Sequence, residues 1–113
     1  MTNQVILIGR LTSDLEIKEV DGKKYTTITL AIPRSYKNTD GEYETDFVDC
    51  LLWNIVAENT VEYCRKGDLI AARGRIETTQ NIDEKDNITK KETRIIADKI
   101  SFLSSKVPEK DGE

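Results

Sequence analysis

Hydrophobic positions along this chain repeat with a period of two over most of its length and with a helical period once. The opening run NQVILIGRL, residues 3–11, is apolar on both parities up to Gly9-Arg10, which predicts a strand covered on two sides at its start. Residues 15–20 (LEIKEV) alternate cleanly and lead into Asp21-Gly22, a strong hairpin signal. A return strand is predicted over 24–32, with Thr26, Ile28, Leu30 and Ile32 on one face and Tyr25, Thr27, Thr29 and Ala31 on the other. Pro33 has no N–H to donate and is expected to stop the pairing. Residues 34–42 then read as a polar loop with a second Asp-Gly turn.

A further strand is predicted over 43–53, and its parity carries information. Val48, Cys50 and Leu52 share one face, while Tyr43, Thr45, Phe47, Asp49, Leu51 and Trp53 share the other. If the first face is core, the second shows aromatic groups to the outside beside polar ones, an unusual allocation for a solvent face. Residues 55–66 change period. Ala57, Val61 and Cys64 form a helical stripe, with Asn54 as the expected N-cap, Arg65 and Lys66 in the last turn, and Gly67 as the left-handed stop. Residues 68–79 return to strand, with Ile70, Ala72, Gly74 and Ile76 inward and Arg73, Arg75 and Glu77 outward. Residues 80–91 (QNIDEKDNITKK) read as a long polar hairpin loop. A closing strand over 93–103 points Ile95, Ala97 and either Ile96 or Ile100 inward.

Five such strands, with the single helix between the third and fourth, predict an all-β domain: a five-stranded Greek-key barrel, the OB-fold. Gly9 and Gly74, inside strands, fit a small barrel that must bend. The predicted domain covers residues 1–104, and 105–113 read as a short, polar, frayed tail.

Composition narrows the chemistry. The 113 residues contain no His, which removes the usual general base and the usual imidazole metal ligand. Cys50 and Cys64 sit among apolar residues and form no CxxC pair, so they read as small buried hydrophobes. Neither a secretory signal nor a membrane-length apolar run is present in the sequence. The net charge of −4 argues against a nucleic-acid partner only until its distribution is considered: residues 35–68 hold eight acids and three bases, and the remainder is near neutral. A local basic groove is compatible with that balance.

Within this frame the residues that could carry chemistry are aromatic and basic. Tyr36 lies between Arg34 and Lys37, and Phe47 and Trp53 project from one strand face. At about 3.4 Å per residue they stand roughly 20 Å apart, the length of a track for several nucleotides. Bases stack on such rings with little regard to sequence, and neighbouring Arg and Lys neutralise phosphates. A purely structural reading of Phe47 and Trp53 as core is weakened by Asp49 on their face, since an unpaired buried carboxylate is costly. Gly9-Arg10 and Gly74-Arg75 could each bring a guanidinium to a closely approaching backbone. Asp46 and Asp49, or Asp14 and Glu16, lack a nucleophile or companion cluster and read as solvated acids rather than catalytic pairs. No catalytic residue, metal or cofactor is expected.

The segments NQVILIGRL, ITLAIPRSYKN, TDFVDCLLWNIVAE, EYCRKGDLI and RGRIETT, in this order, resemble the bacterial and mitochondrial single-stranded DNA-binding proteins. The resemblance implies an OB-fold that assembles as a homotetramer, wraps single-stranded DNA with little sequence preference and protects it during replication, recombination and repair. It implies a cytoplasmic, nucleoid-associated protein without a membrane partner. The family's stacking rings fall on Tyr36, Phe47 and Trp53, and Arg10, Arg34, Lys37, Lys66 and Arg75 are the expected phosphate contacts. The first-strand subunit contact falls on Asn3, Gln4, Val5 and Ile6. Four departures stand out: Leu15 replaces a usual proline, Thr79-Gln80-Asn81-Ile82-Asp83 lacks the aromatic and bases that some members carry, Asp49 stands between Phe47 and Trp53 where a neutral or basic residue would suit phosphate better, and the chain ends without the acidic tip that recruits partner proteins, so no such recruitment is expected. The acidic middle segment keeps one alternative open, an OB-fold accessory subunit of a primosome-type complex with weak DNA binding.

Overall fold

A computed structural model describes residues 1–83, 85 and 88–105. Its strands are β1 (Val5–Leu11), β2 (Lys18–Val20), β3 (Lys23–Lys37), β4 (Tyr43–Trp53), β5 (Leu69–Asp83) and β6 (Ile88–Ser104), with one helix, α1 (Asn54–Tyr63), between β4 and β5. Sheet order is β1-β5-β6-β4-β3-β2, and β1 pairs with β3 as well, so five strands close on themselves. The short β2 rides on β3 as the outer arm of the Asp21-Gly22 hairpin. This is the predicted OB-fold barrel.

Period-two alternation builds the core. Ile28 and Leu30 of β3, Cys50 and Leu52 of β4, Ile70 and Ala72 of β5 and Ala97 of β6 are buried together with Leu11. Ala57, Thr60 and Cys64 form the buried side of the helix and its exit, closing one end of the barrel. Burial pushes the Cys50 thiol up to about 11 and raises that of Cys64, as expected of thiols packed as hydrophobes. On β6 the open choice is settled by an irregularity: Gly74 faces Ala97 but Arg73 faces Lys99, so Asp98 is an extra residue that shifts the parity. Ile100 therefore packs against the core with Ile95, whereas Ile96, also buried, sits opposite Leu51. Gly9 and Gly74 are required by crowding. A Cβ on Gly74 would overlap the Ile96 carbonyl oxygen, and one on Gly9 would lie 2.7 Å from that of Ala31.

Several local expectations need correction. Pro33 does not end its strand: it stays in register with Thr45, and an irregularity between Pro33 and Lys37 absorbs the missing donor before Lys37 pairs with Tyr43. The loop over 34–42 is accordingly reduced to a turn at 38–42, organised by the Asn38 side chain, whose Oδ1 accepts from the Asp40 and Glu42 amides. The loop over 80–91 is mostly ladder, with Gln80 opposite Lys91 and Ile82 opposite Thr89. Ile76 is 42% exposed rather than inward, because β5 has by then run past the barrel wall. Asn54 does not cap α1; Trp53 occupies that position without a side-chain cap bond among the described residues, and Asn54 takes a φ of +52°. The helix ends at Tyr63, so Arg65 and Lys66 lie beyond its last turn and Gly67 is not its stop. Arg65 still reaches back, donating from Nη1 to the carbonyls of Val61 and Glu62, while Gly67 ties the exit to β1 by donating to the Leu11 carbonyl. The predicted tail at 105–113 lies, apart from residue 105, outside the described residues.

Candidate nucleic-acid interface

The outer face of the β3–β4 ribbon follows from strand register. Tyr25 stands opposite Trp53, Thr27 opposite Leu51, Thr29 opposite Asp49, Ala31 opposite Phe47 and Pro33 opposite Thr45. Since Cys50 and Leu52 point inward, all of these side chains point out. Phe47 is 67% exposed and Tyr36, on the extension of β3 beyond Pro33, 63% exposed. Trp53 is half-buried because the Tyr25 ring packs against it, 5.5 Å between centroids at a tilt of 46°. A groove of about 450 Å³ opens beside this ring pair, between the ribbon and β6, with Leu51, Asp49, Thr93 and Arg94 also in its wall. The Phe47 and Trp53 rings of β4 thus both lie on the outer face, Phe47 open and Trp53 half-buried, and Asp49 is an outward acid: its Oδ1 accepts the Thr29 hydroxyl at 2.6 Å.

The predicted phosphate contacts differ in what they already hold. Arg34 is clamped: Nε and Nη2 donate to the Asp46 carboxylate at 2.8–3.2 Å, and Nη1 donates to Glu44 at 3.0 Å. These bonds, those to Asp46 above all, raise the guanidinium above its ordinary value, and the Arg34 hydrogen bond holds Asp46 below the usual carboxylate range. Asn38 completes the clamp by donating to Glu44. Arg75 pairs with Glu77 at 2.6 Å and approaches Asp98 at 3.7 Å. Arg10 donates to the Gly67 carbonyl. Lys37 sits 5.7 Å from the centre of the Tyr43 ring, a cation over an aromatic face. Lys66 meets no carboxylate within 4 Å among the described residues; its backbone amide donates to Asp14. Sequence reasoning places Tyr25 on the strand face away from Ile28 and Leu30 but misses it as the partner of Trp53. The hairpin register was the missing signal.

The predicted subunit contact lies at the other side of the barrel. Ile6 and Ile8 are 63% and 52% exposed on β1, whereas Val5 is half-buried. Asn3 is engaged within the chain, its side chain both donating to the Ile76 carbonyl and accepting from the Ile76 amide. Gln4 is exposed.

A closed five-stranded barrel showing open rings along a bordering ribbon defines an OB-fold of the oligonucleotide-binding kind. The sequence matches the single-strand binding protein family over residues 2–103, nearly the whole chain, and the protein belongs to that family. It is 41% identical to single-stranded DNA-binding protein B of Bacillus subtilis over 111 residues, 97% of each chain. It is 40% identical to single-stranded DNA-binding protein 3 of Listeria innocua and 35% identical to a single-stranded DNA-binding protein of Streptococcus pyogenes, covering 66% and 69% of those longer chains. Membership in a binding family supports single-stranded DNA binding and does not favour the accessory-subunit alternative. Among the described residues no helix is long and apolar enough to cross a membrane.

Proposed function

We propose that this chain binds single-stranded DNA with little sequence preference, and coats and protects it during replication, recombination and repair. Bases stack on Tyr36, Phe47 and Trp53; Lys37 and Lys66 meet phosphates directly, and Arg10, Arg34 and Arg75 do so by exchanging or sharing their present partners. The observation that carries this reading is a phenyl ring 67% exposed on the outer face of a strand whose alternate residues are sealed in the core. A ring so exposed contributes little to folding, whereas stacking of a base on it contributes about 1–3 kcal/mol. No step of this function requires bond chemistry, in keeping with a binding protein rather than an enzyme.

Trp53 is the one tryptophan of the chain, so its fluorescence reports on the track. Oligo-dT is expected to quench it, with log K falling against log salt by about 0.7 per phosphate neutralised. Unchanged emission together with no retention of oligo-dT in low salt overturns the reading.

The chain is further proposed to assemble as a homotetramer through Asn3, Gln4, Val5 and Ile6. Two features support this. Ile6 and Ile8 are exposed, and β1 pairs with β3 only at Arg10 and Leu11, leaving that edge of its earlier residues without a ladder among the described strands. Light scattering is expected to give about four times the 12.9 kDa chain mass; a monomeric mass at working concentration excludes it.

A further inference from the structure

The cations of the β5–β6 ribbon are not equivalent: Arg75 is paired with carboxylates, and of those that are not, Arg94 is the one that lines the groove beside Trp53 among the described residues. Glu77 and Arg94 face each other across the ladder, as do Arg75 and Ile96. Glu77 is taken by Arg75, through Nε at 3.0 Å and Nη2 at 2.6 Å. The Arg94 side chain is left with no carboxylate within 4 Å and no hydrogen bond among the described residues. Its strand position puts it on the same side of β6 as Ile96, which meets Leu51 of the ring-bearing face. It lines the groove that begins at the Tyr25–Trp53 ring pair.

We propose that this groove is a nucleotide seat at the Trp53 end of the track, in which Arg94 takes the backbone phosphate of the nucleotide whose base lies against Trp53. The inference rests on the single-stranded DNA reading and adds to it a cation and a location. The volume of about 450 Å³ lies within the range of pockets that hold small organic ligands, large enough for one nucleotide. The wall chemistry divides accordingly: indole, phenol and Leu51 form an apolar side, the Thr93 residue lies beside Arg94, and the guanidinium offers a bidentate fork to a phosphodiester. The one carboxylate in the wall among the described residues, Asp49, opposes an anion, but it is held from the β3 side by the Thr29 hydroxyl. Arg34, by contrast, must break a four-bond clamp before it can meet a phosphate.

Oligo-dT titrations of Trp53 emission over a salt series test the seat, comparing the full chain with Arg94→Gln, Arg94→Glu and Lys99→Gln. Lys99 is exposed farther along β6, so its replacement removes the same charge as Arg94→Gln. Arg94→Gln is expected to weaken low-salt affinity about threefold to tenfold and to flatten the log–log salt slope by about 0.7, the loss of one phosphate contact. Arg94→Glu should weaken it further, and Lys99→Gln should leave the slope unchanged. Full quench at saturation is expected in every variant, because the ring itself is intact. Wild-type binding with an unaltered slope in both Arg94 variants overturns the seat while leaving the stacking reading in place. Equal losses in Arg94→Gln and Lys99→Gln overturn it as well, since the effect is then one of net charge. No binding by the unmodified chain defeats the underlying reading instead.

Discussion

The two faces of β4 carry similar residues and do opposite work. Inward, Cys50 and Leu52 are 1% and 0% exposed; outward, Phe47 is 67% exposed. Apolar area is stabilising only when it leaves water, so hydrophobic character alone does not distinguish core from interface; the strand's parity and its neighbours across the ladder do. The largest expected effects separate the faces. Leu52→Ala should cost about 2–5 kcal/mol of stability through lost burial and a cavity, measured by urea denaturation, with oligo-dT affinity retained while the protein is folded. Phe47→Ala should change stability by only about 0.5 kcal/mol or less, yet weaken oligo-dT binding by about 1–3 kcal/mol. If Phe47→Ala unfolds the protein and leaves the affinity of the folded fraction intact, the outer face is structural and the contrast collapses.

A smaller effect sharpens the same contrast within the outer face. Asp49 lies between Phe47 and Trp53 along β4, and its charge repels a phosphate chain passing over the ribbon. Asp49→Asn keeps an oxygen to accept the Thr29 hydroxyl and removes only the charge. Affinity for oligo-dT in low salt should rise by about 0.2–1 kcal/mol, the scale of an exposed charge interaction, with the gain fading as salt screens it. An unchanged affinity would mean that the DNA does not pass over this part of the ribbon.

What could be read beforehand divides along the same physical line. Wherever one side of an element is sealed, burial writes its period into the sequence: β4 was legible from Tyr43 to Trp53 and the helix from the stripe at Ala57, Val61 and Cys64. The open ring of Phe47 is legible as a violation of that pattern, and that of Tyr36 as an aromatic in a segment that reads as a polar loop, although its place on β3 is not. The ribbon ends were not. Beyond the barrel wall, Gln80 and Asn81 pair with Lys91 and Lys90 while both faces meet water, so nothing selects an alternation there and a polar strand resembles a loop. The same reasoning explains Pro33, whose missing donor matters less where the ladder is already irregular. Side-chain partnerships across strands were also illegible, because they depend on register: neither the Tyr25–Trp53 ring pair nor the Arg34–Asp46 clamp follows from spacing along one strand.

That clamp yields the smallest effect and the most direct check on the geometry. The Asp46 and Arg34 side chains are both only half-buried, so the pair contributes little to global stability, but it fixes the base of the arm that carries Tyr36. The Arg34 hydrogen bond favours the charged carboxylate and so lowers the Asp46 pKa in the folded chain below its value in the unfolded one. The stabilisation is therefore fully present above the ordinary carboxylate pKa, and it is lost as pH falls through the depressed folded value. Carboxyl carbon shifts followed by NMR should show Asp46 titrating below the usual carboxylate range in the unmodified chain and moving back up toward that range in Arg34→Gln. The Tyr36 ring resonances should broaden or shift over the same low-pH interval, as the arm loses its anchor, and should already do so at neutral pH in Arg34→Gln. An Asp46 midpoint that is the same in both proteins means that the guanidinium is not held in solution. Arg34 is then as available to phosphate as Arg94, and the distinction between a clamped and an open cation along the track disappears.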